Sequence, residues 1–130
     1  MTDAEILALA DRLFSAIEAG DLDEIAACWA DDVVVWTNFG GARDRDTSLK
    51  VLRWLIGRMP DLRYEVTRRE AIEGGFLQQH VLHGTAPGGA AVEMPACIVA
   101  TTAATSSGPR ITRIDEYLDP AATAALVGTR

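Results

Sequence analysis

The stretch GFLQQHVLHGT, residues 75–85, decides the fold class of this chain, because it shows that the second half is built from strands. It is apolar and lies between two glycine-containing turns, which is the pattern of a strand. Three polar residues, Gln78, Gln79 and His80, nevertheless stand together in its middle. Either that face of the strand is wet, or one of these side chains points into a pocket and takes part in chemistry.

Further strands flank this stretch on both sides. Residues 62–67 alternate apolar and polar side chains, which is the period of a half-buried strand. The segment AVEMPACIVATT (91–102) predicts a long strand, and ITRIDEYLD (111–119) the last one. One earlier strand is predicted for VVVWTNF (33–39). Pro95 cannot donate to a strand ladder, so we expect it at an edge position or a bulge.

Helices are predicted around the first of these strands. The first helix runs from a capping box at Thr2 to Gly20, and a short second helix reaches Trp29. After the loop GGARDRD, a third helix begins near Thr47. The pair Asp119 and Pro120 has the signature of a helix start, so a short helix follows the last strand.

Three N-terminal helices and then consecutive strands indicate an α+β fold with a mostly antiparallel sheet. A sheet that curves around the helices would form a cone-shaped roll with a cavity inside it. The chain has 130 residues, of which 48% are hydrophobic, and this fits a single domain over residues 1–130.

Composition excludes several classes of partner. The net charge is −7 and Lys50 is the sole lysine, so neither nucleic acid nor an anionic membrane is expected to bind. No apolar run approaches the roughly 20 residues of a membrane-spanning helix. The acidic N-terminus is unlike a signal peptide, and a cytoplasmic location is therefore expected. No metal-binding or phosphate-binding motif is present, so neither a metal nor another cofactor is expected.

Alternation along the strands predicts which side chains share a face. Gln78 and His80 lie on one face of their strand, and Glu116 lies on one face of the last strand. In the first strand, Trp36 and Asn38 lie together. These five residues are candidates for one site, provided that the three faces point toward each other.

At this point the chain resembles the nuclear transport factor 2-like superfamily, and within it the SnoaL-like and limonene-epoxide-hydrolase-like branches. The likeness rests on the order of helices and strands and on the segments GDLDEIAACWADDVVV (20–35), QQHVLHGT (78–85) and RITRIDEYLD (110–119). It covers nearly the whole chain. The resemblance implies the cone-shaped roll and a homodimer, but not one activity, because this superfamily contains isomerases, cyclases, dehydratases, epoxide hydrolases and non-enzymes.

The resemblance to limonene epoxide hydrolases is only partial at the site. Their Tyr-x-Asn pair appears here as Trp36-x-Asn38, and their second Asp falls on Glu116. Their Arg-x-Asp pair falls on Gln78-x-His80, so the Arg and one acid are absent. Epoxide hydrolysis is accordingly the less favoured activity.

A His–Glu pair in an apolar pocket suits proton transfer next to a carbonyl group. His80 is predicted to be the base or acid and Glu116 to orient it. Asn38 and Gln78 would polarise a carbonyl oxygen. The apolar wall is expected from a further set of residues, namely Trp36, Trp54, Phe39, Met59, Met94 and Ile98.

The sequence therefore predicts a small-molecule pocket protein. Our leading hypothesis is a cofactor-independent acid/base enzyme, of the isomerase, cyclase or dehydratase type, acting on a small hydrophobic carbonyl compound. The alternative is a non-catalytic ligand-binding module or a dimeric interaction module of the same fold. The two hypotheses differ in whether His80 and Glu116 lie within hydrogen-bond reach of each other.

Overall fold

A computed structural model describes residues 1–127. The helices are α1 Asp3–Ala19, α2 Leu22–Cys28, α3 Arg45–Arg58, a 3-10 turn Pro120–Thr123 and α4 Ala124–Val127. The strands are β1 Trp29–Thr37, β2 Gly41–Arg43, β3 Arg63–Ile72, β4 Gly75–Thr85, β5 Ala91–Thr105 and β6 Gly108–Leu118.

All six strands form one sheet in the order β2-β1-β6-β5-β4-β3. The pairs β3–β4, β4–β5, β5–β6 and β1–β2 are antiparallel, and β1 runs parallel to β6. Connectivity permits the parallel pair, because α3 and four further strands separate β1 from β6 along the chain. This is the helix-on-curved-sheet roll, with a short C-terminal helix, that the sequence predicts.

The three large helices pack on one face of the sheet. Helix α1 begins with the predicted capping box, in which Thr2 accepts from the N–H of Glu5, and ends at Gly20 in the left-handed conformation. Its inward side chains recur at helical spacing, so a single stripe is buried against the strands. That stripe consists of Ile6, Leu9, Ala10, Leu13, Phe14, Ala16 and Ile17.

Two predicted boundaries were wrong. Trp29 is not the end of the second helix but the first residue of β1, and its side chain is buried in the core. The loop after β1 contains a short strand, β2, which pairs with residues 35–37. Helix α3 starts at Arg45, two residues before Thr47, because Asp44 caps it by accepting from the N–H of Thr47.

The edge position expected for Pro95 is confirmed in a local sense. β5 is an interior strand, but β6 ends at Leu118, which pairs with Ala96. Pro95 therefore pairs with Val81 of β4 on one side and has no β6 partner on the other. The missing proline N–H costs no ladder bond on the open side.

Candidate functional site

The helices and the sheet enclose two adjoining chambers. The outer chamber has a volume of about 490 Å³, and the deep chamber one of about 100 Å³. Cavities of several hundred Å³ with mostly apolar walls are typical of small-molecule sites. The walls of the outer chamber are largely apolar and include Phe39, Val51, Leu52, Trp54, Leu55, Leu82, Met94, Ala96, Leu118, Leu126 and Val127.

Several polar groups of the wall stand where the two chambers meet. Thr37, Arg43, Tyr64 and Glu116 line both chambers, whereas His80 lines the outer one, as do Thr47, Lys50 and Thr123. The first five of these side chains come from five different strands. A ligand that occupied both chambers would have to pass between them.

Strand register explains how Glu116 reaches the cavity. Residues paired across neighbouring strands point to the same face of a sheet. Glu116 pairs with Thr37 of β1 and with Ile98 of β5, and Ile98 pairs with Gln78 of β4. All four therefore point toward the helices, and Glu116 is the one carboxylate in this row.

A chain of hydrogen bonds fixes the ring of His80. Nε of Arg69 donates to Oε1 of Gln78 at 2.7 Å. The amide nitrogen of Gln78 therefore faces His80 and lies 2.9 Å from its Nδ1. Because that nitrogen is a donor, Nδ1 must accept, and the ring proton must sit on Nε2. Arg69 is itself held between Asp11 and the ring of Phe14.

His80 is consequently a neutral donor. Burial, together with the nearby charge of Arg69, lowers the pKa of His80 to about 4. Tyr64 packs edge-on against the imidazole, with ring centroids 4.8 Å apart. At neutral pH the ring is uncharged, and its Nε2–H is the group that it can offer to a ligand.

Glu116 has the properties of a proton acceptor. Burial raises the pKa of its carboxyl group, and the positive charge of Arg43 offsets part of that rise. A carboxylate with a raised pKa is a stronger base than one in water and is closer to the working range of a catalytic base. No cation lies within salt-bridge distance of Glu116 among residues 1–127.

Tyr64 completes the polar set. Burial, and the charges of Glu116 and Glu18, raise the pKa of Tyr64 far above its ordinary value. Its hydroxyl group therefore stays protonated at neutral pH. Within residues 1–127 this hydroxyl group has no hydrogen-bond partner, so it is free to donate to a ligand in the cavity.

The expected His80–Glu116 pair does not form. β5 lies between their strands, so their backbones are about 10 Å apart across the sheet. Their registers are also offset, because His80 pairs with Ala96 and Glu116 with Ile98. The residue that orients His80 is Gln78. Both side chains do line the outer chamber, as predicted, but from separate parts of its wall.

Trp36 and Asn38 are not in the site. Trp36 points to the outer face of the sheet, where its ring contacts Tyr117 with centroids 5.2 Å apart. The side chain of Asn38 accepts from the N–H of Leu118 and so extends the β1–β6 pairing beyond the strand end. The β1 side chains that line the cavity are those of Trp29, Val35 and Thr37.

The remaining predicted residues divide into two groups. Trp54 and Met94 line the outer chamber, and Ile98 lines the deep chamber. Met59 and Gln78 are fully buried and line neither. Met59 instead fills the space beside Gly84, which has no side chain of its own.

Tyr64, Thr37, Arg43 and Ser48 were not among the predicted site residues. A signal for Tyr64 was present, since it belongs to the inward phase of the alternating segment 62–67. No comparable signal existed for the other three, because their approach to the cavity depends on β2 and on the rotation of α3.

Two further searches concern the described part of the chain. Between residues 1 and 127, no three His, Cys, Asp or Glu side chains are grouped as metal ligands would be. Within the same range, no helix combines the length and apolarity required to cross a membrane.

Comparison with solved structures finds the same fold in proteins of low sequence identity. AclR, a proposed hydroxylase from Streptomyces galilaeus, has a TM-score of 0.81 at 19% identity, with 96% of this chain and 82% of that chain covered. IdmH, a proposed polyketide cyclase from Streptomyces antibioticus, has a TM-score of 0.78 at 20% identity, with 96% of this chain and 99% of that chain covered. An LEH-like epoxide hydrolase of M. tuberculosis has a TM-score of 0.74 at 19% identity, with 96% of this chain and 91% of that chain covered. These likenesses concern the fold alone.

A search of curated proteins finds no match. The family model of the SnoaL-like domain, in contrast, matches residues 10–123. That range contains α1 from its middle onward, every strand and the 3-10 turn. It also contains every residue of the polar set described above. The chain therefore belongs to the SnoaL-like domain family.

Proposed function

We propose that this domain is a cofactor-independent acid/base enzyme that acts on a small hydrophobic carbonyl compound. One observation supports this most directly. A half-buried carboxylate with a raised pKa, Glu116, and a protonated phenol, Tyr64, both line an apolar cavity. Proton abstraction next to a carbonyl requires both a base of this kind and donors for the resulting oxyanion.

The proposed step runs as follows. The Glu116 carboxylate takes a proton from the carbon next to the carbonyl group. The C–H electron pair forms a carbon–carbon double bond, and the carbonyl π pair moves to oxygen. The enolate oxygen accepts hydrogen bonds from the Tyr64 hydroxyl group or the His80 Nε2–H. Proton return at another carbon gives an isomerase, loss of a β-hydroxyl group a dehydratase, and attack on a second carbonyl group a cyclase.

The His80–Glu116 contact that the sequence hypothesis required of an enzyme is absent, so the proposed enzyme divides the roles differently. His80 has its acceptor nitrogen occupied by Gln78 and its pKa lowered, so it suits donation better than proton abstraction. Glu116 is unpaired and has a raised pKa, so it suits proton abstraction. The arginine and the acid of limonene epoxide hydrolases fall on Gln78 and His80, which supports an activity other than epoxide opening.

Deuterium exchange tests this proposal without knowledge of the natural substrate. The probe is 1-tetralone, a bicyclic aromatic ketone, and NMR in D2O measures loss of the proton signal next to its carbonyl group. The wild-type protein should accelerate exchange over buffer, and Glu116→Gln should abolish the acceleration. Asp115→Asn is the matched control, because Asp115 is the adjacent carboxylate on the opposite face of β6.

The competing hypothesis predicts another result. A non-catalytic ligand-binding module would bind 1-tetralone, as measured by calorimetry, without accelerating exchange in any variant. Exchange that survives Glu116→Gln would refute the role of Glu116 specifically. The pH profile adds a second criterion: exchange should increase as the pH rises through the raised pKa of Glu116, because only the ionised carboxylate accepts a proton.

A further inference from the structure

Two buried polar groups at the deep chamber have no partner. Trp29 and Ser48 are each 4% exposed, and both line this chamber. Neither the indole Nε1 of Trp29 nor the hydroxyl group of Ser48 has a hydrogen-bond partner among residues 1–127. Buried polar atoms are paired in most native proteins, and each exception needs an explanation.

Both groups are presented by regular secondary structure. Trp29 is the first residue of β1 and pairs with Ile111 of β6, at the far end from Glu116. Ser48 is the one buried residue of α3, and its backbone N–H already donates to Asp44. Helix hydroxyl groups commonly bond back to a carbonyl one turn earlier, but Ser48 does not.

The deep chamber and the proposed reaction site share a wall. Tyr64 and Glu116 line both chambers, so the two chambers adjoin at these residues. The other walls of the deep chamber are mainly aliphatic, and include Ile17, Val35 and Ile114. A ligand that reached this space would therefore meet polar groups at the junction and, beyond it, only Trp29 and Ser48.

We propose that the deep chamber is a second binding subsite, in which Trp29 and Ser48 hold an uncharged acceptor oxygen of the substrate. An indole N–H can only donate, so its partner must be an acceptor. Arg43 and Glu116 both line this chamber, and their opposite charges leave no net positive charge there to favour an anionic acceptor. The remaining class is a carbonyl, ether or hydroxyl oxygen.

This inference deepens the proposed function and rests on it. The substrate would carry two oxygen functions. One is the carbonyl group beside which Glu116 acts, and the other lies at the opposite end of the molecule, in the deep chamber. The remaining apolar part of the molecule would occupy the outer chamber, which has the larger volume.

A matched pair of probes tests the subsite. The compound 6-methoxy-1-tetralone carries an acceptor-only oxygen at the end of the ring system opposite the ketone, and 6-ethyl-1-tetralone has the same shape without it. The three indole N–H resonances of the ¹⁵N-labelled protein are followed during titration. Trp54 lines the outer chamber and reports occupancy, whereas Trp36 on the outer sheet face is the internal control.

We expect both probes to shift the Trp54 resonance and neither to shift that of Trp36. Only the methoxy compound should move the Trp29 N–H downfield, as a new hydrogen bond does. In Ser48→Ala, the dissociation constant of the methoxy compound should rise about threefold to tenfold, while that of the ethyl compound stays within about twofold. Without ligand, Ser48→Ala should be as stable as the wild type or more so, because it removes an unpaired buried hydroxyl group.

Three results would overturn the inference. If the Trp54 resonance shifts but the Trp29 resonance responds equally to both probes, the deep chamber does not recognise the methoxy oxygen. If Ser48→Ala lowers the melting temperature, the hydroxyl group has an internal partner. If neither probe shifts Trp54, the outer chamber does not take such ketones and the subsite fails with it. The deuterium exchange assay separately decides the proposed function, since it depends on Glu116 and not on the deep chamber.

Discussion

The position of the ring proton on His80 is determined by Gln78, two residues earlier in the same strand. Arg69 holds the carbonyl end of Gln78, the amide end of Gln78 then faces Nδ1, and the imidazole keeps its proton on Nε2. A histidine held in this way is a hydrogen-bond donor at Nε2. Moving its proton to Nδ1 would require the Gln78 amide to flip, which would break the hydrogen bond from Arg69. The role of His80 therefore depends on a relay that a strand pattern does not reveal.

Two substitutions at His80 separate a donor from a base. In His80→Gln the side chain keeps an N–H donor but cannot accept and return a proton at catalytic rates. We expect this variant to retain exchange activity within about tenfold of the wild type, and His80→Leu to lose about 100-fold, which is the effect of removing an oxyanion donor. Steady-state exchange rates check this prediction. Equal losses in the two variants would instead identify His80 as the base.

The lowered pKa of His80 predicts how stability depends on pH. The unfolded chain takes up a proton near pH 6.5, whereas the folded chain does so near pH 4. Stability from this residue is thus complete above pH 6.5 and is lost as the pH falls toward 4. Between pH 7 and 5 the wild type should lose about 2 kcal/mol more than His80→Gln.

Urea unfolding of both proteins at the two pH values measures this difference. The carboxyl group of Glu116 titrates in both proteins, so its contribution, which has the opposite sign because its pKa is raised, cancels in the comparison. The same loss in both proteins would mean that the pKa of His80 is ordinary.

At the scale of elements, β1 determines which side chains reach the cavity. Its sequence VVVWT (33–37) has no alternation of apolar and polar residues, so neither face is marked as the inner one. The parallel pairing with β6 determines which face of β1 points inward, because it places Thr37 opposite Glu116. The predicted phase was off by one residue, and such a slip exchanges the two faces of a strand.

The contact between α3 and β4 makes a second element-scale prediction. A Cβ atom at Gly84 would lie 2.7 Å from Sδ of Met59, which is fully buried and follows the end of α3. Gly84→Ala should therefore destabilise the fold by about 1–3 kcal/mol, the usual cost of overpacking. Gly88→Ala is the control, because a Cβ atom there meets nothing within 4 Å. Chemical denaturation of both variants measures the difference.

The double variant Gly84→Ala with Met59→Ala gives the sharper test. If the clash with Met59 is the cause, the loss from the glycine substitution should be smaller in the Met59→Ala background than in the wild type. Additive losses would show that the two positions do not interact.

At the scale of the whole molecule, the sheet has an outer face that no helix within residues 1–127 covers. Trp36 and Tyr117 form an aromatic pair there, and Tyr117 is 51% exposed. Cys97 pairs with Tyr117 and Gln79 pairs with Cys97, so these side chains continue the same surface. We infer that this face is the contact of the homodimer that the sequence resemblance implies.

Light scattering coupled to size-exclusion chromatography tests the inferred dimer. The wild type should elute with twice the chain mass of 14.0 kDa. Tyr117→Arg should yield a monomer, because it places a charge in the middle of the contact. Glu73→Arg, at the exposed β3–β4 turn, should leave the dimer intact. A wild-type monomer at micromolar concentration would contradict the inference.

The sequence by itself determined the fold class, the helix stripe of α1, and the shared faces of Gln78 with His80 and of Glu116 with Leu118. These features depend on local periods, which are written into the order of apolar and polar residues. The same periods placed both His80 and Glu116 on the cavity wall, where the structure also has the predicted residues Trp54, Met94 and Ile98.

The tertiary structure alone decided which of these residues act together. Separation of His80 from Glu116 follows from strand order, because β5 is inserted between β4 and β6. Recruitment of Tyr64, Thr37 and Ser48 follows from register and helix placement. The altered pKa values of His80 and Glu116 follow from burial. Strand order, register and burial are set by contacts between residues distant along the chain. Such contacts produce no periodic pattern in the local sequence from which they could be predicted.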